Sequence, residues 1–521
     1  MAVSAPDWIA GRKNSAALNS SDPASLFNAC RHASMLARDG VGEWGKSNWA
    51  VPRPQLREKF LLMYSLDDIG KFVELLERER PNLLLLGAMT LSFPGALECA
   101  RIAREKFGDE IFIVLGGRHA SETIWLDDPS QRFESRVVHH LASPVALMKR
   151  GLVPCVFDLV VSGDGELVIS TIGELLVHVL PGEAMAAILS GLRTQAIPGD
   201  WIAVACRNGE QTVVSRGIPL NYNELPSIAS IYGVSAAFDV FEGRMTAHVF
   251  SDTGQGCVYD CTFCSERRST TGGLRDISRA PERLYRQMSD AVKVIQDEWP
   301  GRGASAFVED SILLGGSPKQ IEQFCELLEN DPVDIDFGVQ FTIDQILRRQ
   351  PLIERLSRVG MRYVFIGLET ADPTEIGGMS KDIGSALAPW QQRFRSALTF
   401  LAANGIKCGC AILFGLGESH SSRISLLDGI LDTRIMLGGP VTVSANWAVC
   451  HPLRAINPKI EYEYIDWGTP DGPYLELFHN FGEASLRYPL PDVRKPTLDE
   501  LADVVNRLRK FHSLAELAEQ S

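Results

Sequence analysis

The order of apolar runs and amphipathic segments predicts an α/β protein with two successive parallel sheets. Continuous apolar runs, typical of buried parallel strands, occur at Leu83–Gly87, Ile111–Leu115 and Leu159–Val161. Amphipathic helical segments lie between these runs, and this repetition predicts a doubly wound sheet. A second series of six strand–helix units begins at Thr246, which predicts an open, partial barrel of the TIM type.

The second series has the clearer element boundaries. Its predicted strands are Thr246–Phe250, Ser305–Glu309, Asp334–Gln340, Tyr363–Gly367, Lys407–Phe414 and Val441–Val449. Its most regular predicted helices are Pro281–Trp299, Pro318–Asn330, Ile343–Val359 and Trp390–Asn404, and a last helix is predicted at Thr497–Leu517. The chain therefore divides into an N-terminal segment of unclear fold, a doubly wound domain, a connector with a small hairpin, the partial barrel and a C-terminal extension: residues 1–60, 61–200, 201–245, 246–456 and 457–521.

Composition limits the class of protein. The 521 residues carry a net charge of −14, and an acidic surface repels phosphate backbones, so duplex nucleic acid is not expected as a partner. The 11 cysteines are irregularly spaced, which indicates free thiols and a reducing, cytoplasmic compartment. The N-terminus lacks the pattern of a secretory signal. The most apolar window, from Leu83 to about Ala103, contains a proline and two charged residues, so no membrane span is predicted.

Three cysteines, Cys257, Cys261 and Cys264, fall within nine residues directly after the first strand of the predicted barrel, where active sites of such folds lie. A structural zinc site closes with four protein ligands, and a four-iron cluster usually takes four cysteines. Three thiolates would leave one iron open to another ligand. The alternative is half of a zinc site that distant residues such as Cys450 and His451 complete.

Cys257, Cys261, Phe263 and Cys264 resemble the CxxxCx(aromatic)C signature of the radical S-adenosylmethionine (radical SAM) superfamily. The resemblance implies a [4Fe–4S] cluster whose open iron binds the amino and carboxylate groups of S-adenosylmethionine. It also implies that the reduced cluster cleaves this molecule to a 5′-deoxyadenosyl radical, which takes hydrogen from a substrate. An electron donor such as flavodoxin or ferredoxin is implied as a partner, and Phe263 is placed against the bound ligand.

The ends of the second and third barrel strands extend this resemblance. Phe307–Ser311 resembles an acidic segment of the superfamily, which implies that Glu309 or Asp310 accepts the ammonium group of S-adenosylmethionine. The alternative for either acid is a helix cap. Gln340 ends the third strand and is predicted to hydrogen-bond the same ligand, with a satisfied core amide as the alternative.

The fourth and fifth strand ends complete the resemblance to the barrel. Ile366–Thr370 resembles the superfamily's fourth segment, which implies that Glu369 and Thr370 contact the ribose or methionine part of S-adenosylmethionine. Ala411–Glu418 resembles the fifth segment, whose backbone contacts adenine and includes Gly415. Together with the three cysteines, these residues form the predicted site.

The first sheet carries a second resemblance. Pro81–Thr90, Gly116–Ala120 and Val161–Glu166 resemble the cobalamin-binding domain that precedes many radical SAM barrels. Ligands of doubly wound sheets bind at the carboxyl ends of the strands. The cobalamin-binding residues predicted there are Thr90, Ser92, Gly116, Gly117, His119, Gly163, Gly165 and Glu166. No Asp-x-His-x-x-Gly occurs, so histidine ligation of cobalt is not predicted, and His119 is expected to hydrogen-bond its loop. The apolar first strand and proline-rich loop usual in the family are not recognised in residues 1–60.

Both resemblances together, from about Phe60 to about Pro458, imply a cobalamin-dependent (class B-like) radical SAM methyltransferase. One S-adenosylmethionine would methylate cobalamin, and a second would be cleaved to start transfer of that methyl group to an unactivated carbon. The acidic composition favours a small molecule or a peptide as the substrate. A second hypothesis keeps the radical but replaces methyl transfer by rearrangement, ring contraction or cyclisation. A third is a non-catalytic zinc-binding scaffold.

Overall fold

A computed structural model describes most of the chain. The described residues are 1–6, 60–62, 68–90, 92–176, 179–207, 209–220, 227, 229–230, 234, 237–251, 256–261, 263–264, 266, 277–370, 375–376, 379–383, 389–437, 442–447 and 496–519. They divide into two compact units, one up to Ser230 and one from Val234 onward. In this described part of the chain, no helix is long and apolar enough to cross a membrane.

A seven-stranded sheet forms the centre of the first unit, in the order β2-β1-β3-β4-β7-β8-β9. Its strands are β1 (Ala2–Ser4), β2 (Phe60–Leu62), β3 (Leu83–Gly87), β4 (Phe112–Gly116), β7 (Leu159–Gly163), β8 (Trp201–Ala205) and β9 (Gln211–Val214), and a separate antiparallel pair consists of β5 (Ile124–Leu126) and β6 (Val137–His139). The first five strands of the order are parallel, and β8 and β9 are antiparallel. The hairpin predicted in the connector is β8–β9, and it extends this sheet.

Helices accompany the strands of this sheet. They are α1 (Ile69–Glu79), α2 (Phe93–Phe107), α3 (Arg118–Thr123), α4 (Pro144–Lys149), α5 (Glu166–Leu176) and α6 (Ala184–Thr194). Leu83 and Leu85 of β3 belong to one buried cluster with α5 and α6. Leu84 and Leu86 point to the opposite face and are buried as well. Because both faces of the strand are covered, its sequence is a continuous apolar run rather than an alternating one.

The first unit contains a strand that sequence patterns did not reveal. β1 lies between β2 and β3, with Ala2 opposite Phe60 and Leu85. Pro6 follows this strand, and a Cβ atom on Gly95 of α2 would lie 2.0 Å from the Pro6 carbonyl oxygen. The first strand that the sequence analysis did not recognise in residues 1–60 is thus present in the structure. Three residues are too few for a periodic signal, so only pairing with β3 identifies β1.

The second unit confirms the predicted series of parallel strands. Its six strands pair in chain order. They are β10 (Met245–Val249), β11 (Ala304–Val308), β12 (Asp336–Gln340), β13 (Met361–Glu369), β14 (Lys407–Phe414) and β15 (Thr442–Trp447). The helices are α7 (Ala280–Glu298), α8 (Pro318–Asn330), α9 (Ile343–Arg348), α10 (Gln350–Arg358), α11 (Trp390–Ala403), α12 (His420–Leu437) and α13 (Leu498–Glu519). Six parallel strands in this order are the sheet of a partial barrel.

An aromatic cluster fills the amino-terminal end of this sheet. Phe241, Phe307 and Tyr363 are buried together, and the ring centroids of Phe307 and Tyr363 are 6.2 Å apart. Lys407, the first residue of β14, donates to the Val240 carbonyl oxygen at 3.2 Å, which fixes the segment that carries Phe241. These contacts pack the aromatic side chains against β11, β13 and the segment that precedes β10.

The last helix, α13, begins with a capping box. The Thr497 N–H donates to Glu500 Oε2 at 2.8 Å, and the Glu500 N–H donates to Thr497 Oγ1 at 3.2 Å. Arg507 of α13 pairs with Asp428 of α12 at 3.0 Å, so this helix packs on the second unit. Most of the predicted C-terminal extension before α13 lies outside the described residues.

Candidate active site

The three clustered cysteines lie in the loop after β10, at the carboxyl end of the second sheet. Cys261 is buried, and Cys257 and Cys264 are partly buried. The thiols are close enough to influence one another electrostatically. Among the described residues, no three His, Cys, Asp or Glu side chains converge tightly enough to hold a single metal ion. The loop therefore groups the thiols without forming a single-ion site.

Burial sets the protonation of these thiols. It raises the pKa of Cys264 to about 12, and the Glu266 carboxylate acts in the same direction. Burial also raises the pKa of Cys257, while the Tyr259 N–H, which donates to the Cys257 sulfur at 3.5 Å, opposes this rise. Since iron binds thiolates, metal binding here must displace protons. Such thiols suit a metal centre better than a free nucleophile.

Two hydrogen bonds anchor the cysteine loop at its backbone. The Gly256 N–H donates to Glu266 Oε2 at 2.6 Å. The Asp260 N–H donates to Ser380 Oγ, also at 2.6 Å, and the Ser380 N–H donates to the Cys261 sulfur at 3.3 Å. Ser380, which is 120 positions after Asp260, thus holds the loop from a distant part of the chain.

Glu309 follows β11 beside the start of the cysteine loop. Its N–H donates to the Val249 carbonyl oxygen at 2.8 Å, and its Oε1 lies 2.6 Å from His248 Nδ1. His248 is buried, and its Nε2 has no hydrogen-bond partner among the described residues. Buried polar atoms are seldom left unpaired in a complete site. The His248–Glu309 pair therefore has the character of a ligand-binding group.

Asp310, the other predicted acceptor, is hydrogen-bonded within the protein. It is fully buried. Its Oδ1 accepts the Ser251 N–H at 2.8 Å, and its Oδ2 accepts the Ser251 hydroxyl at 2.5 Å and the Leu314 N–H at 3.1 Å. Asp310 thus ties the end of β10 to the loop after β11. Of the two acids, Glu309 is better placed to meet a ligand.

Glu369, at the end of β13, is paired with a lysine of the chain itself. Lys381 Nζ donates to Glu369 Oε1 at 2.7 Å and to the Gly367 carbonyl oxygen at 2.8 Å. Burial opposes the charge on Lys381, but the Glu369 carboxylate holds the pKa of Lys381 above its usual value. The charge of Lys381 in turn acts on both Cys257 and Cys261. Lys381 therefore links Glu369 to the segment that contacts the cysteine loop.

The remaining residues of the predicted barrel site lie at the same edge of the sheet. Gln340 is the half-buried last residue of β12. Thr370 directly follows β13 and is buried, with its N–H donated to the Leu368 carbonyl oxygen at 2.8 Å. Phe263 is buried within the cysteine loop. Residues 450 and 451, the alternative zinc ligands, lie outside the described part of the chain.

Gly415, after β14, belongs to a turn that a buried ion pair holds. Its N–H donates to Glu418 Oε1 at 2.8 Å, and the Leu416 N–H donates to Glu418 Oε2 at the same distance. Arg423 Nε donates to Glu418 Oε1 at 2.6 Å. The Gly415 N–H is therefore engaged by Glu418 in this structure, and the backbone contact with adenine stays a prediction.

At the carboxyl ends of β3 and β4, the first unit has a compact polar cluster. Thr90 Oγ1 lies 3.2 Å from His119 Nδ1 and 3.5 Å from Glu122 Oε2. Arg118 Nε donates to Glu122 Oε1 at 3.0 Å, and the His119 ring packs on Phe93 with centroids 4.7 Å apart. Thr90, His119 and Glu122 are buried. His119 thus hydrogen-bonds a neighbouring loop, in the way the sequence led us to expect.

Two of the predicted cobalamin glycines are required by packing. Gly117 has φ of +93°, and a Cβ atom there would lie 2.6 Å from the Ala88 backbone nitrogen. Gly163 has φ of +85°, and a Cβ atom there would lie 2.1 Å from the Asp200 carbonyl oxygen. Both glycines let one loop approach another, whatever ligand the sheet binds.

The other residues predicted in this sheet also sit at its carboxyl edge. Ser92 Oγ accepts the Met89 N–H at 3.0 Å and so closes the turn before α2. Gly116 is the last residue of β4. Gly165 precedes α5, and Glu166 is the first residue of that helix. The structure therefore gathers these residues around the strand ends, as the sequence predicts for a ligand of this sheet.

Comparison with known families decides the class of the second unit. The family model described as "Radical SAM superfamily" matches residues 252–429, from the cysteine loop to α12. This part of the chain is a radical SAM domain. Its cofactors are accordingly a [4Fe–4S] cluster and S-adenosylmethionine. The six parallel strands in chain order, with the cysteine loop after the first of them, agree with the TIM-like fold of such domains.

Individual relatives of the radical SAM domain are distant. A curated protein, the anaerobic magnesium-protoporphyrin IX monomethyl ester cyclase of Rubrivivax gelatinosus, is 22% identical over 237 residues, which are 44% of this chain and 34% of that protein. The chain thus spans about a third of the relative's length.

Two solved structures are also similar. TsrM of Kitasatospora setae, a radical S-adenosylmethionine methyltransferase with tryptophan substrate and a SAM analog bound, aligns at a TM-score of 0.46 with 15% identity over 86% of this chain and 72% of that chain. OxsB, a cobalamin-dependent S-adenosylmethionine radical enzyme with aqua-cobalamin bound, aligns at 0.44 with 15% identity over 71% of this chain and 47% of that chain.

Four residues of the radical SAM domain that sequence reasoning missed are His248, Ser380, Lys381 and Glu418. His248 had a usable signal in the sequence, because a histidine inside a mostly apolar predicted strand, directly before the cysteine loop, is uncommon. The other three lie in loops, and their contacts depend on how strands far apart in the chain come together. Patterns of spacing carry no signal for such contacts.

Proposed function

We propose that this protein is a cobalamin-dependent radical SAM enzyme that methylates an unactivated carbon of a small molecule or a peptide. The observation that carries the radical part is the loop of Cys257, Cys261 and Cys264 at the carboxyl end of six parallel strands. The cobalamin part is supported by the resemblance of the first unit's strand ends to a cobalamin-binding domain. An electron donor and a substrate are the partners this chemistry needs.

The residues of the cysteine loop fit an anionic iron–sulfur cluster. Three thiols are grouped in a partly buried loop, and the N–H groups of Tyr259 and Ser380 donate to two of the sulfurs. The partly buried ammonium of Lys381 opposes the rise in the pKa of Cys257. Hydrogen bonds to sulfur and a nearby positive charge are the surroundings that such clusters need.

Glu309 is the residue that we assign to the ammonium group of S-adenosylmethionine. Its carboxylate stands beside the start of the cysteine loop, and His248 orients it through a 2.6 Å contact. A carboxylate that accepts from an ammonium gains a charge-assisted hydrogen bond, which is about twice as strong as a neutral one. Asp310 holds the loop in place instead.

When bound, the cluster supplies the electron that cleaves S-adenosylmethionine, and cobalamin supplies the methyl group. The chain's own part is to hold, orient and shield. The aromatic cluster of Phe241, Phe307 and Tyr363 packs against the strands of this sheet and stiffens them. The ion pairs Glu369–Lys381 and Glu418–Arg423 fix the loops at the other end.

For cobalamin, the first unit offers the carboxyl edge of β3, β4 and β7. His119 is buried and its Nδ1 lies 3.2 Å from Thr90 Oγ1. Since the sequence has no Asp-x-His-x-x-Gly, we propose a corrinoid whose cobalt has no histidine ligand from this loop. Glu166 stands at the first turn of α5. These residues would bind the corrinoid through backbone and side-chain contacts.

Anaerobic reconstitution with iron and sulfide, with and without cobalamin, tests both parts of the proposal. The absorption spectrum is expected to show the cluster in both samples and bound corrinoid in the second. Incubation with S-adenosylmethionine and a reductant is expected to yield 5′-deoxyadenosine. Zinc without iron or sulfide would overturn the proposal and support the scaffold hypothesis.

A rearrangement, ring contraction or cyclisation without methyl transfer is the second candidate. The distant relative named as a cyclase favours it. Product mass distinguishes the two, since methyl transfer adds a methyl group to the substrate. A product of unchanged mass, or lower by two hydrogens, would exclude methyl transfer while leaving the radical SAM chemistry intact.

A further inference from the structure

The segment Ser380–Lys381 is attached to the cysteine loop although it follows β13. Ser380 Oγ accepts the Asp260 N–H at 2.6 Å and lies 3.6 Å from the Cys261 sulfur. The Ser380 N–H donates to the same sulfur at 3.3 Å. One serine therefore contacts both the backbone of the loop and the atom that would bind iron.

Lys381, the next residue, places a fixed positive charge beside this contact. Its ammonium is partly buried and donates to Glu369 Oε1 and to the Gly367 carbonyl oxygen. A Cβ atom on residue 367 would lie 2.3 Å from Lys381 Nζ, so the glycine makes room for the ammonium. A buried charge is costly to desolvate and persists only with partners. The ammonium is therefore held in one place rather than free to move.

The residues that flank this contact have unusual backbone conformations. Glu369 and Asp382 each have φ of +61°, although neither is a glycine. Left-handed conformations of such residues persist only where the surrounding contacts enforce them, and they cluster at functional sites. The enforcing contacts here are the Glu369–Lys381 ion pair and the Asp344 N–H, which donates to Asp382 Oδ1 at 2.8 Å.

We propose that Ser380 and Lys381 are positioning residues for the iron–sulfur cluster. They hold the Cys261 part of the loop, and they stabilise the negative charge that the cluster gains when the electron donor transfers one electron to it. Hydrogen bonds to the sulfurs and the local charge set the reduction potential of such clusters, so both residues raise it. The inference rests on the proposed function, because it assumes that the three cysteines hold a cluster.

The holding role is testable in the apoprotein by hydrogen exchange with mass spectrometry. In S380A the Asp260 amide loses its acceptor, so peptides spanning residues 256–266 are expected to exchange faster than in the wild type. S380T keeps the hydroxyl group and is expected to restore slow exchange. S289A is the matched control, because Ser289 Oγ donates to the Tyr285 carbonyl oxygen within helix α7, away from the loop. Equal exchange in S380A and the wild type would refute the holding role.

The electrostatic role is testable in the loaded protein by a redox titration monitored by electron paramagnetic resonance. In K381M the midpoint is expected to become more negative, with the ratio of reduced to oxidised cluster at a fixed potential falling up to about tenfold, or about 59 mV for one electron. S380A is expected to shift the midpoint in the same direction by less. K381R keeps the charge and is expected to recover the wild-type midpoint, which separates charge from folding.

The two arms distinguish failure of this inference from failure of the proposed function. Wild-type protein that binds no iron and sulfide would refute the proposed function, whereas the exchange experiment would still report on the contact between Ser380 and the loop. Normal iron and sulfide content with unchanged midpoints in S380A and K381M would refute the electrostatic role alone.

Discussion

At the carboxyl ends of β3 and β4, the polar side chains are bonded to one another. Thr90 contacts His119 and Glu122, and Arg118 completes the cluster. At the carboxyl ends of β10 and β11, the hydrogen bonding of the polar groups is less complete. Burial raises the pKa of the Cys257 and Cys264 thiols, and the buried His248 Nε2 has no partner among the described residues.

The two sheets differ in how far the buried polar groups at the carboxyl ends of their parallel strands are hydrogen-bonded. Where the buried groups satisfy one another, the fold alone explains them. Where a buried imidazole nitrogen has no partner among the described residues, as at His248, a ligand can complete the site. On this basis the carboxyl ends of the radical SAM strands are the stronger candidate site. Ligand binding at the strand ends of the first unit has to be demonstrated by a separate experiment.

Loss of a cluster cysteine should have the largest effect. We expect Cys261→Ala to abolish cluster binding and S-adenosylmethionine cleavage, because no described side chain offers a replacement thiolate at that position. Iron and sulfide content and 5′-deoxyadenosine yield measure the effect. Cys155→Ala, an exposed cysteine of the first unit, is the control and should keep both. Full iron content in Cys261→Ala would show that Cys261 does not bind the cluster.

A glycine of the first unit should be sensitive for structural reasons. In Gly117→Ala the new Cβ would approach the Ala88 backbone nitrogen to 2.6 Å at a φ of +93°. We expect the free energy of unfolding to fall by about 2–5 kcal/mol from strain and overpacking. Gly151→Ala has φ of +69° but open space around it, so it should lose only about 1–2 kcal/mol. Equal losses in a denaturant titration would show that the close approach is unimportant.

The buried carboxyl of Asp382, beside the Ser380–Lys381 segment, should make stability depend on pH. Burial raises its pKa from 3.8 to about 6. The folded state therefore holds this proton more tightly than the unfolded state, and its contribution to stability falls as pH rises from about 4 to about 6. Asp382→Asn lacks this penalty, so its stability relative to the wild type should increase over that window by up to about 3 kcal/mol.

Thermal or denaturant unfolding of Asp382→Asn and the wild type at a series of pH values checks this prediction. Asp297→Asn, at an exposed position of α7, is the control and should track the wild type. A constant difference between Asp382→Asn and the wild type across the range would contradict the burial effect.

The smallest effect should come from the pair of acids after β11. We expect Glu309→Gln to weaken S-adenosylmethionine binding by about 10–100-fold, as loss of one charge-assisted hydrogen bond costs about 1.5–3 kcal/mol. Asp310→Asn should lower the melting temperature more than the affinity, because Asp310 accepts from Ser251 and Leu314. Calorimetric titration of the loaded protein separates the two. Weaker binding in Asp310→Asn alone would reverse their assignments.

Much of the radical SAM domain could be predicted from the sequence. The strand Lys407–Phe414 was predicted with the bounds observed, and the other strands of this sheet lie within two residues of their predicted ends. Parallel strands covered on both faces read as continuous apolar runs, which makes them easy to recognise. The short strand β1 gave no such signal, and it was found only through its pairing with β3.

The sequence alone identified the three cysteines as a site, because their spacing within nine residues confines the thiols to one loop. It also determined which strands end near that loop. Only the tertiary structure showed that Asp310 is hydrogen-bonded to Ser251, that Glu369 pairs with Lys381, and that Ser380 lies against Cys261. These contacts depend on side chains from strands and loops far apart in the chain, and their distances are fixed only when the sheet brings the strand ends together.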